Sequence, residues 1–358
     1  MRKEIFRMPD AEARAMLAAA KEMTFAAIGK SNDGTPSPVL RVVNTWVAGD
    51  SIYFHGAPAG EKMTTMGSAA VFETSRVVAR LPSWFVDPER ACPATTLYEA
   101  VQAHGILREV EDRVEKTRAL AGLLEKLQPE GRYVPLDAPM YEKTLDGLLV
   151  VRMDVTHVDG KRKVCQNRTP KERSRIIEQL FLRGDPGDAE AIETIFAHNA
   201  DTPVPGSLVA PQGGRFCACL PTWRHEEALL LLRQGAYWLD KTSDDTVLRS
   251  MTAPSVMVGA FDAAYRLVGI ARIVADARVA WLYDVFIDEK LRGTGLGLSL
   301  MKFVLTHPLV SRAAKIRLTT RDADAFYRKL GWKELDEAPR HAWRSIEMIR
   351  HAHDHVPA

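Results

Sequence analysis

The chain has 358 residues, more than one hydrophobic core usually spans, so two domains are expected, each able to bury a core of its own. Its 48 Lys and Arg and 46 Asp and Glu are interspersed and leave a formal charge of +2, which indicates no broad surface for nucleic acid or membrane and leaves room only for a local basic site. No stretch approaches membrane-spanning length, the start Met1-Arg-Lys-Glu-Ile-Phe6 lacks an apolar signal core, and Cys92, Cys165, Cys217 and Cys219 show no zinc or redox spacing; this suits a soluble protein of the reducing cytoplasm.

Asp10 is placed to cap a helix running to about residue 21. Short β-prone runs follow over 24–30, 39–47 and 51–55, separated by Asn32-Asp33-Gly34 and Ala48-Gly49-Asp50, the punctuation of antiparallel hairpins. Further strands are expected over 69–72, 98–109 and 148–159, with a helix over 113–127. Such repeated short strands favour a barrel or sandwich. Ile176, Ile177, Leu180 and Phe181 recur at helical spacing within 171–183, and Asp188 is placed to cap a second helix towards His198. Thr202-Pro-Val-Pro-Gly206 and Pro211-Gln-Gly-Gly214 carry no periodic pattern and read as an interdomain linker. Beyond it the order becomes that of an α/β domain: strand 216–220, helices 226–233 and 244–251, strands 255–261, 267–276 and 280–287, helix 297–306, strand 315–319, helix 323–330 and a last strand over 343–349.

Leu282-Tyr-Asp-Val-Phe-Ile287, then Asp288-Glu-Lys-Leu291, then Arg292-Gly-Thr-Gly-Leu-Gly297 read in turn as a buried strand, a short loop and the start of an apolar helix. Unpaired N–H groups and the positive dipole end at a helix N-terminus bind phosphate, and glycines let a loop wrap it closely. Arg292 adds a guanidinium that can bridge phosphate oxygens. A Gly-rich turn also caps helices for purely structural reasons, and neither the dinucleotide fingerprint nor the Walker loop fits. The motif resembles the pyrophosphate-binding Arg/Gln-x-x-Gly-x-Gly/Ala of the GNAT N-acetyltransferases. Phe326-Tyr-Arg-Lys-Leu-Gly-Trp332 is similar to that superfamily's Phe-Tyr-x-x-Leu-Gly-Phe helix, and Tyr237-Trp238 and Val268-Gly-Ile-Ala-Arg272-Ile-Val-Ala-Asp276 extend the resemblance over nearly everything after Gly214.

The resemblance implies acetyl-CoA, its pyrophosphate held by Arg292, Gly293, Thr294, Gly295, Leu296 and Gly297, and its pantetheine arm paired with the backbone of Val285, Phe286 and Ile287. It implies direct attack of a small-molecule amine on the thioester, without a covalent enzyme intermediate. Tyr327 matches the acid that protonates the leaving thiolate; packing between Phe326 and Trp332 is its alternative role. Asp276 and Asp284, near strand ends, are candidates for the general base, or else structural or substrate-orienting carboxylates. His351, His353 and His355 read as a solvated tail, and no metal site is expected.

In the first half, Arg41 and Lys62 come from neighbouring strands and turns, either as a solvated sheet face or as cations for the phosphate of a flavin mononucleotide, which also needs donors near its ring. Phe54-His-Gly-Ala-Pro-Ala-Gly-Glu-Lys62, Leu81-Pro-Ser-Trp-Phe85, Ala91-Cys-Pro-Ala-Thr-Thr-Leu-Tyr98, Val101-Gln-Ala-His-Gly105 and Asp159-Gly-Lys-Arg-Lys-Val-Cys-Gln-Asn-Arg168 resemble the pyridoxamine 5′-phosphate oxidase-like family of FMN-binding split barrels, from Thr24 to about Gly184. That likeness implies a flavin wall of Arg41, Val42, Val43, His55, Gly56, Glu61, Lys62 and Met63, with Lys62 on the phosphate. It also implies a homodimer through the barrel, in which Trp84, Thr96 and Gln102 reach the flavin from the other subunit, while Lys161 and Gln166 serve the site or the fold. The substrate-phosphate residues of the true oxidase are not identifiable. Cys92, beside this region, reads as a buried small hydrophobe rather than a redox thiol.

The expected fold is thus α+β with two domains: an antiparallel FMN-binding split β-barrel over 1–185, a helix and linker over 186–214, and a mixed-sheet α/β GNAT fold over 215–358. The expected function is a bifunctional protein, an N-acetyltransferase joined to an FMN-dependent oxidoreductase. The alternatives are a non-catalytic flavin sensor beside the acetyltransferase, and a GNAT half degenerated to a CoA-binding module.

Overall fold

The computed structural model describes residues 4–252 and 254–334. The strand expected over 343–349 and the tail histidines lie outside them. The first half comprises α1 (Asp10–Ala19), β1 (Glu22–Lys30), β2 (Pro36–Asn44), β3 (Trp46–Ala48), β4 (Ser51–Gly56), β5 (Ala69–Leu81), β6 (Thr95–Glu109), α2 (Arg113–Leu127), α3 (Glu142–Asp146) and β7 (Leu149–Lys163). Its seven strands form one antiparallel sheet in the order β2-β1-β5-β6-β7-β4-β3. Alternation sets its inner face: along β6, Leu97, Val101, Ala103 and Leu107 are buried at every second or fourth position. The rings of Phe25 on β1 and Phe54 on β4 lie 5.2 Å apart although three strands separate β1 from β4 in the sheet. Only a sheet curled around its own core can bring them together, so this half is a barrel, with Phe72 of β5 closing the cluster at 5.6 Å from Phe25.

The second half comprises α4 (Pro170–Arg183), α5 (Asp188–Ala197), β8 (Arg215–Cys217), α6 (His225–Leu232), α7 (Asp244–Ser250), β9 (Val256–Phe261), β10 (Leu267–Ala275), β11 (Val279–Ile287), α8 (Leu296–Thr306), α9 (Pro308–Ser311), β12 (Lys315–Arg317) and α10 (Asp324–Arg328). Among the described residues five strands make a mixed sheet, β12-β11-β10-β9-β8, in which only the β11–β12 pair is parallel. Helix α8 covers one face, and α6 and α7 the other.

Helix α4 joins the halves. Thr169 and Glu172 cap each other's backbone N–H groups, Pro170 follows the cap, and Ile176, Ile177, Leu180 and Phe181 form a buried stripe. That stripe shares one hydrophobic core with Leu81, Phe85 and Leu97 of the barrel half and with Phe216, Leu300 and Phe303 beyond. Phe303 stacks on Phe181 at 5.4 Å and on Phe216 at 4.6 Å. Gly184 ends α4 at φ 59°, and a Cβ there would stand 2.2 Å from Pro308 of α9. The Arg312 guanidinium donates to the last carbonyls of α4, Leu182 at 2.9 Å and Arg183 at 2.7 Å. Between α5 and β8, Leu208 and Ala210 are buried in the same core.

Three local expectations are corrected. Pro9, not Asp10, occupies the cap position of α1, because Asp10 is already helical and a proline fixes the extended residue before it. Gly187, at φ 90°, precedes α5, while the Asp188 carboxylate accepts from the Asp185 N–H and pairs with Arg183. Cys92 is exposed rather than buried, in the irregular segment between β5 and β6.

His307, buried at the seam between α8 and α9, donates from Nε2 to the Ala218 carbonyl (3.1 Å) and accepts at Nδ1 from the Leu309 N–H (3.3 Å). Burial pushes its pKa down to about 4. The folded chain therefore keeps it neutral where the unfolded chain, at about 6.5, already takes a proton, and stability is lost as pH falls from about 6.5 towards 4, by on the order of 3 kcal/mol. Urea midpoints measured across this window should fall for the parent and fall less steeply for His307→Gln; equal slopes would refute the assignment.

Candidate functional site

Strand β11 and helix α8 build the first site. Ile270 pairs with Phe286 and Arg272 with Tyr283, so Asp284 and Val285 together oppose Ala271 alone: a bulge, with Asp284 at φ 50°. On its other side β11 pairs with β12 only over Val279, Ala280 and Trp281, and among the described residues no strand continues that edge alongside Val285, Phe286 and Ile287. The chain then turns through Glu289–Leu291 into Arg292, Gly293, Thr294 and Gly295, with Gly293 at φ 78° and Gly295 at φ 87°. Nothing stands within 4 Å of where their side chains would be. Gly295 caps α8, and the N–H groups of Leu296, Gly297 and Leu298 find no acceptor among the described residues. This is an open helix N-terminus eleven residues long in its helix, lined by hydrogens instead of side chains, and its donor set fits a phosphate-bearing coenzyme. Arg292 stands beside it, paired with Glu289 at 3.4 Å and stacked on Phe286 at 5.3 Å.

The ring of Phe326 lies 3.9 Å from the position a Gly297 Cβ would take, so α10 docks on the first turn of α8 and carries Tyr327 with it. Tyr327 meets Phe326 at 5.1 Å and Trp332 at 6.0 Å, while its hydroxyl has no partner among the described residues, and burial raises its pKa. Asp276 caps the turn between β10 and β11: its carboxylate accepts from the N–H groups of Arg278 (2.7 Å) and Val279 (2.8 Å), which hold its pKa low. Asp284 accepts from Arg272 Nε at 2.6 Å and Trp238 Nε1 at 3.0 Å. The bulge and the loop thus bring Asp284, Val285, Arg292 and Tyr327 to one end of the sheet; Asp276 lies at the far end of β11. Sequence reasoning missed Arg272 and Trp238 as partners of Asp284, because the bulge that aims Asp284 at them leaves no mark in composition.

In the barrel half, Arg41 donates to Glu61, and Lys62 Nζ donates to the Ala59 carbonyl at 2.6 Å. A Cβ on Gly56 would lie 3.1 Å from Lys62 Cε, so Lys62 runs over Gly56 beside exposed His55. Arg41, Gly56, Glu61 and Lys62 are therefore assembled within one chain, and the two cations fit the phosphate end of a flavin. Val43 and Met63 pack on the barrel core, whereas Val42 points to the opposite, outer face. The remaining candidates lie elsewhere. Gln102, three strands from Val42 in the same register row, donates to Glu73 at 3.1 Å. Thr96 pairs with Arg80, roughly eight residues or ~26 Å along β5 from Phe72, the residue in Arg41's row, and Trp84 lies beyond that end. Gln166 serves the local backbone, bonding Val164 N–H and the Arg162 carbonyl, and Lys161 rests over the Tyr98 ring.

Residues 9–162 match the sequence model of a family described as pyridoxamine 5′-phosphate oxidase, and residues 219–348 that of an acetyltransferase (GNAT) domain. No curated protein sequence matches the chain. Among solved structures it is similar to a Bacteroides thetaiotaomicron protein described as a candidate for 5-nitroimidazole antibiotic resistance (16% identity, over 44% of this chain and 85% of that one, TM-score 0.33). A FAD and heme binding protein of Mycobacterium smegmatis is similar at 16% identity over 45% of this chain and 74% of that one, TM-score 0.35. A Xanthomonas campestris pv. campestris protein assigned to the GNAT family is similar at 26% identity over 35% of this chain and 87% of that one, TM-score 0.30. These likenesses are too distant in geometry to carry a function. The cation pair lies inside the first matched segment and the glycine loop inside the second, and the chain joins a pyridoxamine 5′-phosphate oxidase-like domain to a GNAT acetyltransferase domain.

Proposed function

We propose that the chain is an acetyl-CoA-dependent N-acetyltransferase of a small amine, joined to a domain that binds FMN between two copies of the chain and acts as an oxidoreductase in the cytoplasm. The observation that carries the first part is the unpaired helix N-terminus of α8 beside the unpaired edge of β11. Domain boundaries near 185 and 214 go with this reading.

Acetyl-CoA supplies the activated acetyl group. Arg292 and the N–H groups from Gly293 to Gly297 hold its pyrophosphate, and the backbone of Val285, Phe286 and Ile287 steadies the arm that carries the thioester. The acceptor nitrogen would bond to the acetyl carbon as the carbon–sulfur bond breaks; Tyr327 would give its proton to the sulfur, the nitrogen's proton would leave to solvent, and solvent would return one proton to Tyr327. A raised pKa keeps the Tyr327 phenol protonated, as an acid must be. Asp284, committed to Arg272 and Trp238, is better suited to orienting the amine than to taking its proton, and Asp276 is committed to its turn.

Calorimetry should detect binding of CoA, weakened about tenfold in Arg292→Ala, the scale of a lost charged hydrogen bond. Tyr327→Phe should keep that affinity and lose about 10²-fold in kcat on an amine panel. No CoA binding, or an unchanged kcat, would remove the respective assignment.

For the barrel, the flavin supplies a two-electron carrier. Lys62 and Arg41 would hold its phosphate, with Glu61 yielding Arg41 to it. Purified protein should show flavin absorbance that Lys62→Ala loses. Bleaching by a nicotinamide donor supports the oxidoreductase; flavin that no donor bleaches supports the sensor.

The outer face of β2, β1, β5 and β6 supports the dimer. It exposes Ile28, Leu40 and Val42, the first two lining an open hollow of about 560 Å³, an apolar surface that a monomer would leave in water. Four unpaired cysteines accord with a reducing compartment, and no helix among the described residues is long and apolar enough to cross a membrane. Sedimentation should give a dimer for the parent and a monomer for Leu40→Glu; a parent that stays monomeric would count against flavin at a subunit interface.

A further inference from the structure

Ahead of the bulge, β11 presents two faces of different character. Ala280 and Leu282 are buried against α8, while Trp281 and Tyr283 point the other way and stay partly exposed, because α6 and α7 cover only the part of the sheet around Ile270 and Phe286. The two rings lie 6.0 Å apart and within 20° of parallel, a stacked pair that forms an aromatic floor. The segment Tyr237–Leu239, between α6 and α7, supplies a wall: Trp238 is tied to the bulge through Asp284, and Tyr237 donates to Asp322 at 3.0 Å. The floor and wall therefore meet at Asp284, next to the open strand edge.

Three guanidinium groups border this cleft, each over a ring: Arg272 at 4.5 Å from Tyr283, Arg317 at 5.7 Å from Trp281, and Arg321 at 3.8 Å from Tyr237. Two have carboxylates. Arg272 is paired with Asp284 at 2.6 Å, and Arg321 has Asp322 at 3.9 Å. Arg317, opposite Trp281 in the β11–β12 register, has neither an ion pair nor a hydrogen bond to any described residue. Among the described residues the cleft thus carries three positive charges against two negative ones, with Arg317 at the edge of the aromatic floor the one without a carboxylate.

We propose that the acceptor is a flat aromatic amine that also carries an acidic group, carboxylate or phosphate. Its ring lies on Trp281 and Tyr283 under Trp238, its acidic group meets Arg317, and its amine points towards the bulge at Asp284. An uncharged amine would give Arg317 no counter-charge beyond the described residues, and an aliphatic acid would forgo ring contact with Trp281 and Tyr283. This inference rests on the acetyl-transfer reading.

The test uses the full chain with saturating CoA and four probes: 4-(aminomethyl)benzoate, 4-(aminomethyl)phenyl phosphate, benzylamine and 6-aminohexanoate. Calorimetry reads binding, and thiol release from acetyl-CoA reads kcat/KM. At least one of the two acidic aromatic amines should exceed both benzylamine and 6-aminohexanoate tenfold or more in affinity and in kcat/KM. Whichever of the two is preferred identifies the acid. Arg317→Gln should abolish the advantage over benzylamine, Arg317→Lys should restore part of it, and Trp281→Ala should abolish the advantage over 6-aminohexanoate. Equal use of benzylamine and the acidic amines by the parent, or an advantage that survives Arg317→Gln, overturns the acceptor class while leaving acetyl transfer standing. If CoA itself does not bind, acetyl transfer fails and this proposal fails with it.

Discussion

A single backbone conformation organises the acetyltransferase half: Asp284 at φ 50°, in the left-handed region, in the middle of a strand. A residue with a side chain pays about 1–3 kcal/mol to stay there. Arg272 and Trp238 offset that cost by holding the Asp284 carboxylate from two directions in a nearly closed environment. The extra residue reverses the alternation of β11, so that Leu282 packs under α8 but Phe286 packs under α6. β11 has already left its parallel neighbour after Trp281, three residues before Asp284. The seat of Phe286 under α6 and the approach to α8 descend from that one insertion.

A second constraint is the length of α8. Its first turn is the glycine-lined N-terminus, while Phe303, towards its other end, is stacked between Phe181 of α4 and Phe216 of β8. The rigid element that would hold the coenzyme therefore also forms the centre of the contact with the barrel half. The buried Arg215–Glu193 pair, bidentate at 2.6 and 3.0 Å and flanked by Phe196 and Phe261, fixes α5 to β8 at the same seam.

Local patterns were legible in the sequence, and long-range ones were not. The stripe of Ile176, Ile177, Leu180 and Phe181 named α4 because a helix face is written within fourteen residues. The Arg292–Gly297 loop was legible because its chemistry is contiguous. β5 runs to Leu81, well past the apolar run that ends at Phe72, because Glu73, Ser75 and Arg76 are polar and their support comes from across the sheet: Glu73 faces Gln102, and Arg76 bonds Glu99. Asp276 and Asp284 look alike in the sequence; a turn claims one and a bulge the other, and only the fold separates them. The partnership of Arg41 with Glu61 joins residues twenty apart on elements whose relative placement depends on barrel closure.

The stacked phenylalanines at the seam bear on how such a chain can change over generations. Phe181, Phe303 and Phe216 belong to three separate elements, yet each fills space that the others define. A different acetyltransferase spliced behind this barrel would bring a helix whose surface was shaped against something else. Severing the chain after α5 would strip cover from the same rings in both fragments. The two domains joined here are consequently constrained as one object, and substitutions along α4 are limited by the shape of α8.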